Sequence, residues 1–138
     1  MKALKTFLSK DERDTKNAAC WVVEYLIKRK ENKCIVFLKG DLGCGKTRFV
    51  KFALECLGID EEEFDGSPTF TVMNEYRNRI YHIDLYRVGI DESVVDYLES
   101  EDGIFFVEWP EKLTIKPDIV VEFKFEGEQR RKIDVYSS

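Results

Sequence analysis

Residues 40–47 read Gly-Asp-Leu-Gly-Cys-Gly-Lys-Thr, a complete G-x-x-x-x-G-K-T phosphate-binding loop between the apolar run Cys34 to Leu38 and a helical pattern. The residue types suit the task. Glycines let successive backbone N–H groups point inward, the lysine neutralises charge on the outer phosphates, and the threonine hydroxyl can ligate Mg²⁺. The flanks supply the context the motif needs, because Ile35, Val36, Phe37 and Leu38 read as a buried strand while Phe49, Ala53 and Leu57 recur at helical spacing. That helix adds the positive end of its dipole to the same pocket. A nucleotide triphosphate site is therefore predicted, with Asp41, Leu42, Gly43, Cys44, Gly45, Lys46, Thr47 and Arg48 around the phosphates.

Working outward, Leu4 to Leu8 reads as a short strand and Ser9 to Thr15 offers several N-cap side chains before a helix faced by Ala18, Val22 and Leu26, with Trp21 and Tyr25 beside them. After the loop helix ends near Gly58, Gly66-Ser67-Pro68 signals a turn. Two alternating runs follow. Phe70, Val72, Asn74 and Tyr76 share a face of the first and Tyr81, Ile83 and Leu85 a face of the second, so a hairpin is predicted around Asn78-Arg79. Asp91 to Glu99 reads as a short helix, and Ile104 to Val107, Ile119 to Phe125 and Lys132 to Tyr136 as strands, with Gly127 in the last turn. A three-layer α/β fold on a mixed sheet follows, with a parallel core, an antiparallel hairpin and antiparallel edge strands. Ligand is expected at the carboxyl ends of the strands.

The 138 residues are expected to form one domain, 1–138, large enough for a real core. No apolar stretch approaches ~18 residues and the start is not signal-like, so a cytoplasmic protein without a membrane partner is expected. Net charge is −5, unevenly spread: residues 1–57 hold 13 Lys/Arg against 7 Asp/Glu, a net +6, and residues 58–138 hold 9 against 20, a net −11. An acidic total argues against a dedicated nucleic-acid binder. It suits a chain that grips an anionic nucleotide with its first half and meets proteins with the rest. Cys20, Cys34, Cys44 and Cys56 lack C-x-x-C spacing and read as reduced thiols. Cys44, among loop amides near a helix N-terminus, is a candidate for a lowered thiol pKa, although a small residue tolerated by the loop is the plainer reading.

Hydrolysis needs groups that hold Mg²⁺ and orient water. Two apolar strands end in carboxylates, at Asp84 and at Glu108, and both can serve, one in the metal shell and one on the attacking water. Thr69, in Ser67-Pro68-Thr69-Phe70-Thr71, is a candidate sensor of γ-phosphate and Mg²⁺. His82, the single histidine, shares a strand face with Asp84 and reads as a packed or hydrogen-bonded core residue. Trp109, where the strand turns into Pro110, can belong to the core or stack near a nucleotide or partner.

Gly-Asp-Leu-Gly-Cys-Gly-Lys-Thr-Arg-Phe (40–49), Ser-Pro-Thr-Phe-Thr (67–71), Tyr-His-Ile-Asp-Leu-Tyr-Arg (81–87) and Val-Glu-Trp-Pro-Glu (107–111), in this order, resemble the TsaE family of small bacterial ATPases required for threonylcarbamoyladenosine in tRNA. The resemblance implies a cytoplasmic, Mg²⁺-dependent ATPase acting with TsaD and TsaB, which transfer the threonylcarbamoyl group to adenosine 37; tRNA is met only indirectly. By motif it assigns Lys46 to the phosphates, Thr47 and Glu108 to Mg²⁺, and Asp84 to a Walker-B-like role near the γ-phosphate and metal. Trp109 is implied to matter for activity, the segment Ser9 to Thr15, with Glu12 and Thr15, to lie near adenine, and Arg130 to join it. Departures are Cys44 where alanine is frequent and Arg48 where threonine is, the latter expected to point away from the phosphates. A nucleotide or small-molecule kinase is the main alternative, but no long arginine-bearing lid is visible. A GTPase-like switch lacks its Asn-Lys-x-Asp motif, since Asn32-Lys33-Cys34-Ile35 has no aspartate and precedes the loop.

Overall fold

The computed structural model describes residues 1–64, 72–77 and 79–138. Its elements are β1 (Lys2–Ser9), α1 (Glu12–Arg29), β2 (Lys33–Lys39), α2 (Lys46–Cys56), β3 (Met73–Tyr76), β4 (Ile80–Asp84), α3 (Glu92–Ser100), β5 (Gly103–Glu108), β6 (Ile119–Phe125) and β7 (Arg131–Ser137). The seven strands form one sheet in the order β1-β7-β6-β2-β5-β4-β3. β6, β2, β5 and β4 are mutually parallel, while β7, β1 and β3 are antiparallel to their neighbours. The predicted mixed sheet is thus observed.

The central strands are apolar on both faces because both are covered. Val36, Leu38 and Phe106 pack into one core with Ala18, Val22, Phe49 and Ala53 of α1 and α2. Ile35, Phe37, Phe105 and Val107 point the other way, onto Val94 and Leu98 of α3. Three layers result. α1 starts at Asp11, whose carboxylate accepts from the Asp14 amide at 3.1 Å, and α3 starts at Asp91 in the same way, with Val94 as donor at 3.1 Å.

The hairpin differs from its expected pattern. β3 begins only at Met73, and Tyr76 joins the α1/α2 core while Val72 packs with the α3 side. The chain bends at Val72, whose carbonyl accepts from the Asp84 amide at 2.9 Å, and Val72 and Tyr76 do not share a face; Phe70 lies outside the described residues. The expected turn residue Asn78 lies outside the described residues.

The cysteine reading needs one correction, and of the two readings of Cys44 the plainer one holds. Cys20 of α1 and Cys56 of α2 are joined in a disulfide, with Cα atoms 5.6 Å apart. Their separation of 36 residues hid a pairing made by the packing of the two helices. Cys44 is buried, and burial pushes its thiol up even though the Lys46 ammonium pulls the other way. Desolvation outweighs the loop's positive potential, so Cys44 has no lowered pKa. Cys34 is likewise raised by burial, with Asp118 adding to the rise.

Two measurements test this. Thiol titration in denaturant should find two free thiols before reduction and four after it; four at the start would exclude the pairing. Reduction should cost about 3–4 kcal/mol of stability for a loop of this length. Because the folded state holds the Cys34 and Cys44 protons more tightly, the unfolded chain binds fewer protons once pH passes ~8.5, and stability must fall as pH rises further. Urea midpoints should decline from about pH 8.5 upward, less steeply in Cys34→Ala and Cys44→Ala. An unchanged slope in both variants would contradict the raised thiols.

Candidate functional site

β2 ends at Lys39, β4 at Asp84 and β5 at Glu108, and a cleft of about 870 Å³ opens where these carboxyl ends meet α2 and the start of α1. Its size is that of a small-molecule site. Gly40 begins the loop at φ 153°, and a Cβ there would lie 2.6 Å from the Cys44 sulfur and 2.9 Å from the Phe123 carbonyl oxygen. Only glycine lets the loop press this closely on β6. Gly45, at φ 103°, occupies the N-cap position of α2 without a side-chain cap, so the first-turn amides of the helix are not satisfied by a capping side chain.

Lys46 is buried, with its ammonium donating to the Gly40 carbonyl and lying 3.6 Å from the centre of the Trp109 ring. Trp109 adopts φ 58°, a conformation disfavoured for a bulky residue, and its ring packs 4.8 Å from that of Tyr86. The turn out of β5 is thereby spent on placing an indole over the loop lysine.

The next residue, Thr47, donates its hydroxyl to Glu108, 3.0 Å from Oε1 and 2.9 Å from Oε2. Glu108 is 3% exposed. Asp84 stands opposite Glu108 in the parallel register of β4 and β5, more open to the cleft, and its Oδ1 accepts from the Tyr86 amide at 2.9 Å. The two strand-end acids thus meet at the loop. A hydroxyl and carboxylates are hard oxygen donors of the kind Mg²⁺ takes. Among the described residues no trio of His, Cys, Asp or Glu gathers as a preformed metal cage.

Leu42, Gly43, Gly45, Arg48, Glu12 and Thr15 also line the cleft. Thr15 is held by a 2.6 Å hydrogen bond to Ser9, so the start of α1 forms a fixed wall. Arg48 sits on the rim, paired with Glu12. Asp41 and Cys44 are off the lining, Asp41 at an exposed turn and Cys44 with its sulfur in the core. Arg130 is exposed and also off it; Arg131 lines the cleft instead, donating to the Gly43 carbonyl at 3.3 Å. Strand parity held the signal, since Arg131 shares a face with Ile133 and Val135, both of the α1/α2 core. Phe64, Lys51 and Arg87 were further lining residues the motifs did not single out. Thr69 lies outside the described residues. Among the described residues no helix is long and apolar enough to cross a membrane.

Comparison with known proteins agrees with this architecture. The family model for threonylcarbamoyl adenosine biosynthesis protein TsaE matches residues 9–133. The tRNA threonylcarbamoyladenosine biosynthesis protein TsaE of Aquifex aeolicus is 38% identical over 143 residues, spanning 99% of this chain and 98% of that protein. The protein of that name from Haemophilus influenzae is 36% identical over 119 residues, spanning 78% of this chain and 73% of the other. The crystal structure of Bacillus subtilis YdiB superimposes with a TM-score of 0.76 at 25% identity, covering 99% of this chain and 88% of its own. With residues 9–133 matched, a span that holds the phosphate loop and both strand-end acids, the chain belongs to the TsaE family.

Proposed function

We propose that this chain is a Mg²⁺-dependent ATPase of threonylcarbamoyladenosine biosynthesis, binding and hydrolysing ATP in the cleft to support the cycle of a TsaD/TsaB transferase. The observation that carries the reading is the contact of the Thr47 hydroxyl with Glu108, because it joins a phosphate-loop hydroxyl to a strand-end carboxylate at one point. Thr47 and Glu108 are the groups that would hold Mg²⁺, with Asp84 at the edge of its shell. Bound Mg²⁺ would neutralise charge on the β- and γ-phosphate oxygens.

The chain's own groups divide the remaining work. Lys46 and the first amides of α2 take the phosphates, and Arg131 faces the loop from β7. Asp84, oriented by the Tyr86 amide, accepts from the attacking water. Thr69 keeps its proposed place as γ-phosphate sensor. The wall from Ser9 to Thr15, with Glu12 and Arg48 on its rim, is assigned to the base side. As a single domain in the cytoplasm the chain acts on tRNA only through its partners, for its acidic second half does not favour direct contact with RNA.

Calorimetry with ATP and Mg²⁺ should show binding by the parent and none by Lys46→Ala. Glu108→Ala and Asp84→Ala should bind ATP but lose about 10²–10³-fold in turnover, the scale of removing one preorganised transition-state contact. Parental phosphate release by both acid variants would remove the assigned carboxylates. In cells depleted of the protein, mass spectrometry of tRNA nucleosides should show loss of threonylcarbamoyladenosine, and an undiminished level would exclude the pathway role.

A further inference from the structure

His82 is the chain's single histidine and is fully buried. In the parallel pairing of β4 with β5 it stands opposite Phe106, which makes Glu108 its diagonal neighbour on the same sheet face. Its Nε2 lies 2.6 Å from Glu108 Oε2. That oxygen also accepts from Thr47, so one carboxylate is gripped from the loop helix and from the neighbouring strand. Phe64 lies nearly parallel to the imidazole, with 13° between the ring planes and the ring centres 6.2 Å apart.

The ring's other nitrogen, Nδ1, is buried and has no hydrogen-bond partner among the described residues. Among the described residues that leaves a buried nitrogen unpaired, a cost that a phenylalanine or leucine at this position would avoid. The compensating contact is the one to Glu108. It also fixes the tautomer, since a proton on Nε2 donates to the carboxylate whereas a proton on Nδ1 would leave a ring lone pair facing it. The role of a core filler explains the burial but not the polar edge aimed at the acid.

We infer that His82 is a positioning residue, holding Glu108 Oε2 through Nε2–H so that the carboxylate stays presented to Thr47 and to Mg²⁺. The inference rests on the Mg²⁺-ATP reading above and deepens it. Removing the outer partner of a metal-ligating side chain lowers metal affinity by about 10–100-fold. ATP affinity should therefore be measured by calorimetry with Mg²⁺ and with EDTA in the parent, His82→Leu and His82→Gln. His82→Leu should lose about 10–100-fold with Mg²⁺ and little in EDTA, and His82→Gln, whose amide can donate to Glu108, should recover most of that loss. Equal losses in both media, or His82→Gln as weak as His82→Leu, would assign His82 to packing alone. A parent whose ATP affinity ignores Mg²⁺ would overturn the nucleotide reading itself.

An independent readout needs no nucleotide and no His82 variant. With one imidazole in the chain, nitrogen NMR of the labelled protein should show the Nε2–H tautomer, and Glu108→Ala should change its shifts. An Nδ1–H tautomer, or spectra unaffected by Glu108→Ala, would overturn the bond on which the proposal stands.

Discussion

The structure turns on a carboxylate buried at the end of a central strand. Glu108 closes β5 at 3% exposure, in a sheet whose apolar faces leave few polar groups to receive it. Burying a carboxylate costs several kcal/mol unless donors meet it. Here they arrive from two directions, Thr47 from the first turn of α2 and His82 from β4. Satisfying Glu108 therefore fixes where α2 begins relative to β5. The position of the loop before α2 follows, and with it the cleft.

The legible parts of this arrangement were those decided by local pattern. β2 and β5 show as unbroken apolar runs because both faces are covered, and the loop between β2 and α2 is spelled out by its glycines, Lys46 and Thr47. What escaped reading depended on contacts between distant segments. Cys20 and Cys56 meet only because α1 packs on α2. β1 runs from Lys2 to Ser9, longer than its apolar stretch, because its backbone is held by pairing with β7, a constraint its exposed residues do not record. Arg131 was displaced by one residue to Arg130, since the faces of β7 are defined by the buried Ile133 and Val135. His82 was legible as a core residue, but the acid it touches lies 26 residues away on another strand.

The charge asymmetry also changes meaning in three dimensions. Residues 91–102 contain six carboxylates and no Lys or Arg, yet no residue of α3 lines the cleft. α3 covers one face of the sheet and α2 the other, so the sheet lies between this acidic run and the helix that carries the phosphate loop. Of the described residues of the acidic second half, the cleft receives only two carboxylates, Asp84 and Glu108. A sequence-wide net charge therefore understates how well the loop is prepared for an anion.

That preparation can be traced to the partners its cations hold. On the rim, Arg48 is paired with Glu12 and Lys51 with Glu61, and drawing either cation onto a phosphate would break an ion pair. Lys46 and Arg131 instead donate to the loop's own carbonyls, at Gly40 and Gly43, with Lys46 also against the face of Trp109. Exchanging a neutral carbonyl for an anionic phosphate oxygen adds the attraction of opposite charges to a bond whose donor is already ionised. Trp109, held at φ 58° by the turn out of β5, keeps the lysine over the loop in the meantime. The backbone strain there and the cation's neutral lodging are thus two parts of one device, a loop whose strongest donors are in place before any anion arrives.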